Sequence, residues 1–129
     1  MKYRSFWIVV WIAMIVAVLV GSMAPARDVP VDMTHGMDKV VHFLGYFVSS
    51  AYAAMIFRKP RTLRLVMLFL VLLGGVIEIA QGFLTATRSA DLMDFFVNTL
   101  GVMAGYFIRR SPAANLLQNL EQRFLTRER

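Results

Sequence analysis

"RSADLMDFFVNTLGVMAG", residues 88–105, opens on an arginine and two aspartates and only then turns apolar. On a helix, Asp91, Asp94, Asn98, Gly101 and Gly105 recur at intervals of three and four, so they share one face. Leu92, Phe95, Phe96 and, further on, Phe107 fall elsewhere around the same helix. A soluble helix carries its polar face outward. An apolar segment with one ionisable stripe instead predicts a membrane helix that turns the stripe into a bundle.

The rest of the chain agrees. It has 129 residues, 58% of them hydrophobic, and a mean hydropathy of +0.60. A hydrocarbon core about 30 Å thick takes roughly 20 apolar residues per helix. Runs at 6–23, 40–57, 63–84 and 92–108 answer to that length and leave no room for a separate soluble domain. The predicted fold class is all-α: a bundle of four transmembrane helices over residues 1–110, with a cytoplasmic amphipathic tail over 111–129. Pro60 breaks the chain between the second and third runs. The polar turn at 85–89 makes the third and fourth antiparallel neighbours.

The first run also has features of a secretory signal, with Lys2 and Arg4 before it and Ala24-Pro25-Ala26 after it. It is longer than a typical signal core, and Pro25 sits inside the cleavage site, so it is read as a retained span. There is no cysteine, which excludes disulfides, thiolate metal sites and cysteine nucleophiles.

The net charge of +6 and pI near 10.3 do not require nucleic acid. Lys2, Arg4, Arg58, Lys59, Arg61, Arg64, Arg109, Arg110, Arg123, Arg127 and Arg129 fall on one side of the four-span topology, with only Glu121 and Glu128 as acids. Arg27, Lys39 and Arg88 fall on the other, against Asp28, Asp32, Asp38, Glu78, Asp91 and Asp94. The positive-inside rule then predicts both termini in the cytoplasm of a bacterial inner membrane, with the acidic end extracytoplasmic. In the tail, Ser111 and Pro112 suit a helix start, and Leu116, Leu117, Leu120 and Phe124 form a stripe suited to an anionic leaflet.

The same topology makes the unusual polar residues converge. Asp38, His42 and Tyr46 stand four apart in the second run, with Lys39 within three of His42. Glu78 and Gln81 stand three apart near the end of the third. Both groups lie at the depth of Asp91, Asp94 and Asn98, near the outer surface. Charged side chains at membrane depth cost roughly 2.5–3.5 kcal/mol each on insertion scales. Glu78 and Asp94 therefore face one another and Lys39, Arg88 and His42 rather than lipid. Gly101 and Gly105, spaced G-x-x-x-G, predict close helix packing and offer a route to an oligomer.

The ordered set Asp38-Lys39-x-x-His42-x-x-x-Tyr46, Glu78-x-x-Gln81 and Arg88-x-x-Asp91-x-x-Asp94-x-x-x-Asn98-x-x-Gly101 resembles the VanZ-like family over roughly residues 30–108. Those are small multi-span membrane proteins named for a protein that gives low-level resistance to the glycopeptide teicoplanin. The resemblance implies a cell-envelope role and carries over Asp38, Lys39, His42, Glu78, Gln81, Arg88, Asp91, Asp94 and Asn98 as the functional set, without assigned roles.

From the residues themselves, the first reading is a binding module for a lipid-linked or amphiphilic anionic ligand. Lys39 and Arg88 would hold its headgroup, and Asp38, Tyr46, Gln81 and Asn98 would take further polar contacts. The alternative is a hydrolase or transferase acting on a phosphorylated lipid, with His42, Glu78, Asp91 and Asp94 as acid, base or ligands of a divalent cation such as Mg²⁺, Mn²⁺ or Zn²⁺. Their spacing matches no established metal motif, and ion pairing among them is the simpler account. A proton-coupled transporter is the third class. Carboxylates paired with Lys39 and Arg88 beneath a groove open to lipid would favour binding.

Overall fold

The computed structural model describes residues 1–23, 36–84 and 91–127. It is helical throughout, with no strand among the described residues: α1 (Arg4–Met23), α2 (Met37–Ile56), α3 (Pro60–Leu84), α4 (Leu92–Phe107) and α5 (Leu116–Arg127). Two 3₁₀ turns, Ile108–Arg110 and Pro112–Asn115, join the last two helices. The polar turn expected at 85–89 and the cleavage-like Ala24-Pro25-Ala26 lie outside the described residues. Pro60 acts as predicted, as the first residue of α3, where its missing N–H would be unpaired in any case.

The surface is inverted relative to a soluble protein. Val9, Val16 and Val20 of α1, Leu65, Leu72 and Val76 of α3, and Phe96, Leu100 and Phe107 of α4 are exposed, whereas His42, Ser50, Glu78, Gln81, Asp94 and Asn98 are buried. Each buried polar group would lose its hydrogen bonds in hydrocarbon, while the exposed aliphatic side chains lose nothing there. Such an exterior belongs in lipid.

All four predicted runs form helices, but three of them, α1, α2 and α3, are long and apolar enough to cross a membrane. At 16 residues, α4 is about 24 Å long, short of a hydrocarbon core of about 30 Å.

At the centre lies α2, packed against α1, α3 and, most extensively, α4. The stretch "SSAYAA" explains its position. Ser49, Ser50, Ala51, Ala53 and Ala54 are buried, and small side chains let helix backbones approach where lipid supplies no hydrophobic drive to do so. Ser50 Oγ donates to the Val102 carbonyl of α4 at 2.7 Å. A Cβ on Gly101 would sit 2.5 Å from Phe43 O, and one on Gly105 would sit 2.5 Å from Phe47 O. The glycine face offered for an oligomer is thus occupied by α2 of the same chain, and the G-x-x-x-G spacing serves intramolecular packing.

The first helix packs as part of the bundle. Trp11 and Ile15 join the apolar core, Trp11 Nε1 donates to Ser49 O at 2.9 Å, and the Trp11 ring meets Phe57 edge-on at 5.5 Å. Trp11→Phe keeps most of the ring contact and removes the hydrogen bond. It should lower stability by about 1 kcal/mol, read as a lower thermal midpoint in detergent; an unchanged midpoint would show that the bond contributes nothing.

The tail departs from expectation in two ways. Ser111 makes no capping bond to a helix; its Oγ donates to Ile108 O at 2.9 Å and it precedes a 3₁₀ turn. Of the predicted stripe, Leu117 turns inward onto the core, leaving Leu116, Leu120 and Phe124 outward. The inward face also holds Glu121, which accepts a hydrogen bond from the Tyr3 backbone N–H. Arg58 clamps the approach to α5 through Ala114 O at 3.1 Å and Asn115 Oδ1 at 2.7 Å. The tail therefore docks on the basic end of the bundle and keeps a narrower apolar edge.

Candidate functional site

Antiparallel packing brings the start of α2, the end of α3 and the start of α4 to one end of the bundle. Asp91 begins the arrangement locally: as N-cap of α4 its side chain accepts from Met93 N at 2.8 Å, and its charge complements the helix dipole. Lys39 then reaches across from α2. Its Nζ lies 2.9 Å from Asp91 Oδ2, 2.9 Å from Asp94 Oδ1 and 3.6 Å from Asp38 Oδ2. The Lys39 ammonium, and after it the Met93 N–H, hold the Asp91 carboxyl below its ordinary range. Because that shift is downward, the associated stabilisation is present at neutral pH and is lost as pH falls through the lowered value.

Beneath the half-buried Asp38, Lys39 and Asp91 is a buried layer. His42 (7% exposed), Glu78 (5%), Asp94 (8%) and Asn98 (1%) are enclosed among α2, α3 and α4. Asn98 bridges two of them: His42 Nδ1 lies 3.1 Å from its Oδ1, and its Nδ2 donates to Glu78 Oε1 at 3.4 Å. Glu78 Oε2 accepts from the Asp91 backbone N–H at 3.4 Å, and His42 Nδ1 stands 3.7 Å from Glu78 Oε1. Each of these contacts to Glu78 is long for a hydrogen bond. One ligand-capable atom from each of His42, Glu78 and Asp94 lies within 4.8 Å of the other two.

One turn deeper, Tyr46 is buried at 2% exposure, and its hydroxyl has no hydrogen-bond partner among the described residues. It packs beside Gly74, where a Cβ would lie in ordinary contact at 3.4 Å from the Tyr46 hydroxyl and 3.5 Å from Asn98 Cβ.

The structure therefore brings together Asp38, Lys39, His42, Glu78, Asp91, Asp94 and Asn98, with Tyr46 as the floor. Gln81 Nε2 donates to Ser22 O at 2.7 Å and ties α3 to α1. Arg88 lies outside the described residues. Lys39, expected to hold an anionic headgroup, is paired with three carboxylates, and the described cluster is acidic. Sequence reading missed Ser50, whose only signal was a hydroxyl amid small residues, and Glu121, a buried acid counted only in the charge balance of the basic side.

A groove of about 400 Å³ leads to this cluster between α3 and α4, lined by Gly75, Ile79, Leu92 and Phe95, with Glu78 and Asp91 at its polar end. Phe95, off the polar face of α4, is partly buried as a wall of this groove. A second cleft of about 290 Å³ between α1 and α2 reaches His42 from the other side, past Ala17, Gly21, Ser22 and Gly45.

No curated protein and no solved structure matches the chain. The profile of the VanZ/LLP1 family matches residues 2–114, which extends the resemblance through α1 and into the 3₁₀ turns before α5. With most of its length inside that match, the chain belongs to the VanZ/LLP1 family.

Proposed function

We propose that this chain is a four-span protein of the bacterial cytoplasmic membrane that binds the polar headgroup of an envelope amphiphile at its extracytoplasmic end, admitting it sideways between α3 and α4. The observation carrying this reading is the groove of about 400 Å³, whose walls are apolar and whose end presents Glu78 and Asp91. An amphiphile matches that division: its chain lies along Ile79, Leu92 and Phe95, and its headgroup reaches the cluster. Since the described cluster consists mainly of acceptors, the favoured headgroup donates hydroxyls or an amine rather than presenting a bare phosphate.

The orientation rests on charge. The eleven basic residues of the N-terminus, the α2–α3 link and the region after α4 belong to the cytoplasmic side. The shortness of α4 suits a fourth span whose outer end is the site itself, where α2 and α3 shield its polar start and the 3₁₀ turn extends its inner end to Arg110. Leu116, Leu120 and Phe124 then rest on the inner leaflet.

Native mass spectrometry of protein released directly from membranes tests the reading. Wild type should retain an amphiphile of defined mass. Gly75→Leu, which fills the groove without touching the cluster's charges, should reduce its occupancy at least tenfold. A wild-type protein that flies bare, or equal retention by Gly75→Leu, would remove the proposal. Teicoplanin susceptibility of cells with and without the chain separately tests the envelope phenotype that the family name implies.

A further inference from the structure

We infer that His42, Glu78 and Asp94 form a binding site for one divalent transition-metal ion, Zn²⁺ or Mn²⁺. Three observations carry it. First, one donor atom each from His42 of α2, Glu78 of α3 and Asp94 of α4 already stands within 4.8 Å of the other two. Ligand atoms bound at about 2.0–2.2 Å from a tetrahedral ion are separated by about 3.5 Å, so rotamer adjustments of the order of an ångström close the set.

Second, among the described residues the charges do not balance. Asp38, Glu78, Asp91 and Asp94 face the single ammonium of Lys39, which contacts the three aspartates and leaves Glu78 to hydrogen bonds of 3.4 Å. A carboxylate this enclosed takes up either a cation or a proton. Third, the Tyr46 hydroxyl forms the floor of the cluster, 98% buried in consequence of its 2% exposure, with no partner among the described residues. A water on the ion gives that hydroxyl a partner.

The donor set selects the ion. An imidazole with carboxylates suits Zn²⁺ or Mn²⁺, whereas Mg²⁺ favours an all-oxygen octahedron. Asp94 keeps Lys39 while ligating, since a carboxylate offers about four lone-pair sites on its two oxygens. Asn98, bonded to both His42 and Glu78, acts as a positioning residue that fixes their orientation.

Untagged wild-type protein in nanodiscs, exposed to Zn²⁺ or Mn²⁺ and desalted, should carry one ion per chain. X-ray absorption of the zinc form should report a single imidazole among oxygen ligands. Glu78→Gln and Asp94→Asn should each weaken binding at least tenfold, as should Asn98→Leu, within the 10–100-fold range of second-layer changes. Glu121→Gln, removing a buried carboxylate at the opposite end, should leave affinity unchanged. Folded wild type that takes up neither ion, uptake that survives both Glu78→Gln and Asp94→Asn, or a zinc spectrum without imidazole would overturn the inference and assign Glu78 a proton instead. The spectrum is measured on wild type alone, so unfolding of a variant leaves the test decisive. Ion uptake without amphiphile retention would uphold this site and remove the preceding reading; the reverse result would do the opposite.

Discussion

Gly105→Ala should abolish recovery of folded protein. The added methyl would lie 2.5 Å from Phe47 O and 2.7 Å from Ala51 N, and would also overlap Ser50 Oγ, whose hydrogen bond to Val102 O links α2 and α4. Overpacking usually costs about 1–3 kcal/mol because side chains give way. Here two of the obstacles are helix backbone atoms, so the expected loss is at least about 3 kcal/mol, a large part of the stability of a small domain. Gly101→Ala meets Phe43 O at 2.5 Å and should behave similarly. Gly21→Ala, with nothing within 4 Å of its Cβ, is the matched control. Size-exclusion profiles of detergent extracts read the outcome; a Gly105→Ala peak as monodisperse and heat-resistant as that of Gly21→Ala would refute the packing account.

The second large effect concerns Lys39. Lys39→Met keeps much of the side chain's length but removes the charge that holds Asp91 and Asp94 together at 2.9 Å each. Stripping one partner from a buried pair costs about 3–5 kcal/mol. With the Lys39 side chain 34% exposed, solvent screening brings the expected loss down to about 1–3 kcal/mol. The deficit should grow with pH as Asp91, no longer held low by Lys39, ionises uncompensated, and shrink on acidification. Adding Asp94→Asn to Lys39→Met should recover part of the loss, because removing both partners leaves less unpaired charge than removing one. Thermal midpoints of both variants across pH decide it. A loss independent of pH, with no recovery in the double variant, would mean that Lys39 acts through packing rather than charge.

Much of the bundle was legible in one dimension because lipid imposes a length and a polarity on each helix. The run at 92–108 appears as α4 (Leu92–Phe107) extended by a 3₁₀ turn, and Pro60 starts α3. The meeting of His42, Glu78, Asp94 and Asn98 followed from helical spacing and antiparallel order alone. Gln81 shows the limit of that argument. It shares a face with Glu78, yet one turn further along α3 its Nε2 donates to Ser22 O of α1. Lys39 shows another: its spacing marks it as a site residue, but only distances reveal that its charge is already spent on Asp38, Asp91 and Asp94. The tail misled for the same reason, since a stripe of Leu116, Leu117, Leu120 and Phe124 carries no sign of which edge docks.

The sequence by itself determined that this chain is helical, that its exterior is apolar, and that its acidic residues at membrane depth gather at one end with His42 and Lys39. Those properties follow from hydropathy, periodicity and the cost of charge in hydrocarbon, which act residue by residue. Tertiary structure alone decided who pairs with whom: Gly101 and Gly105 against α2, Gln81 with α1, Lys39 among three aspartates, and Glu78 left to weak donors beside His42. Pairing depends on interhelical rotation and approach distance, and these are set jointly by all the helices in contact, not by any one of them.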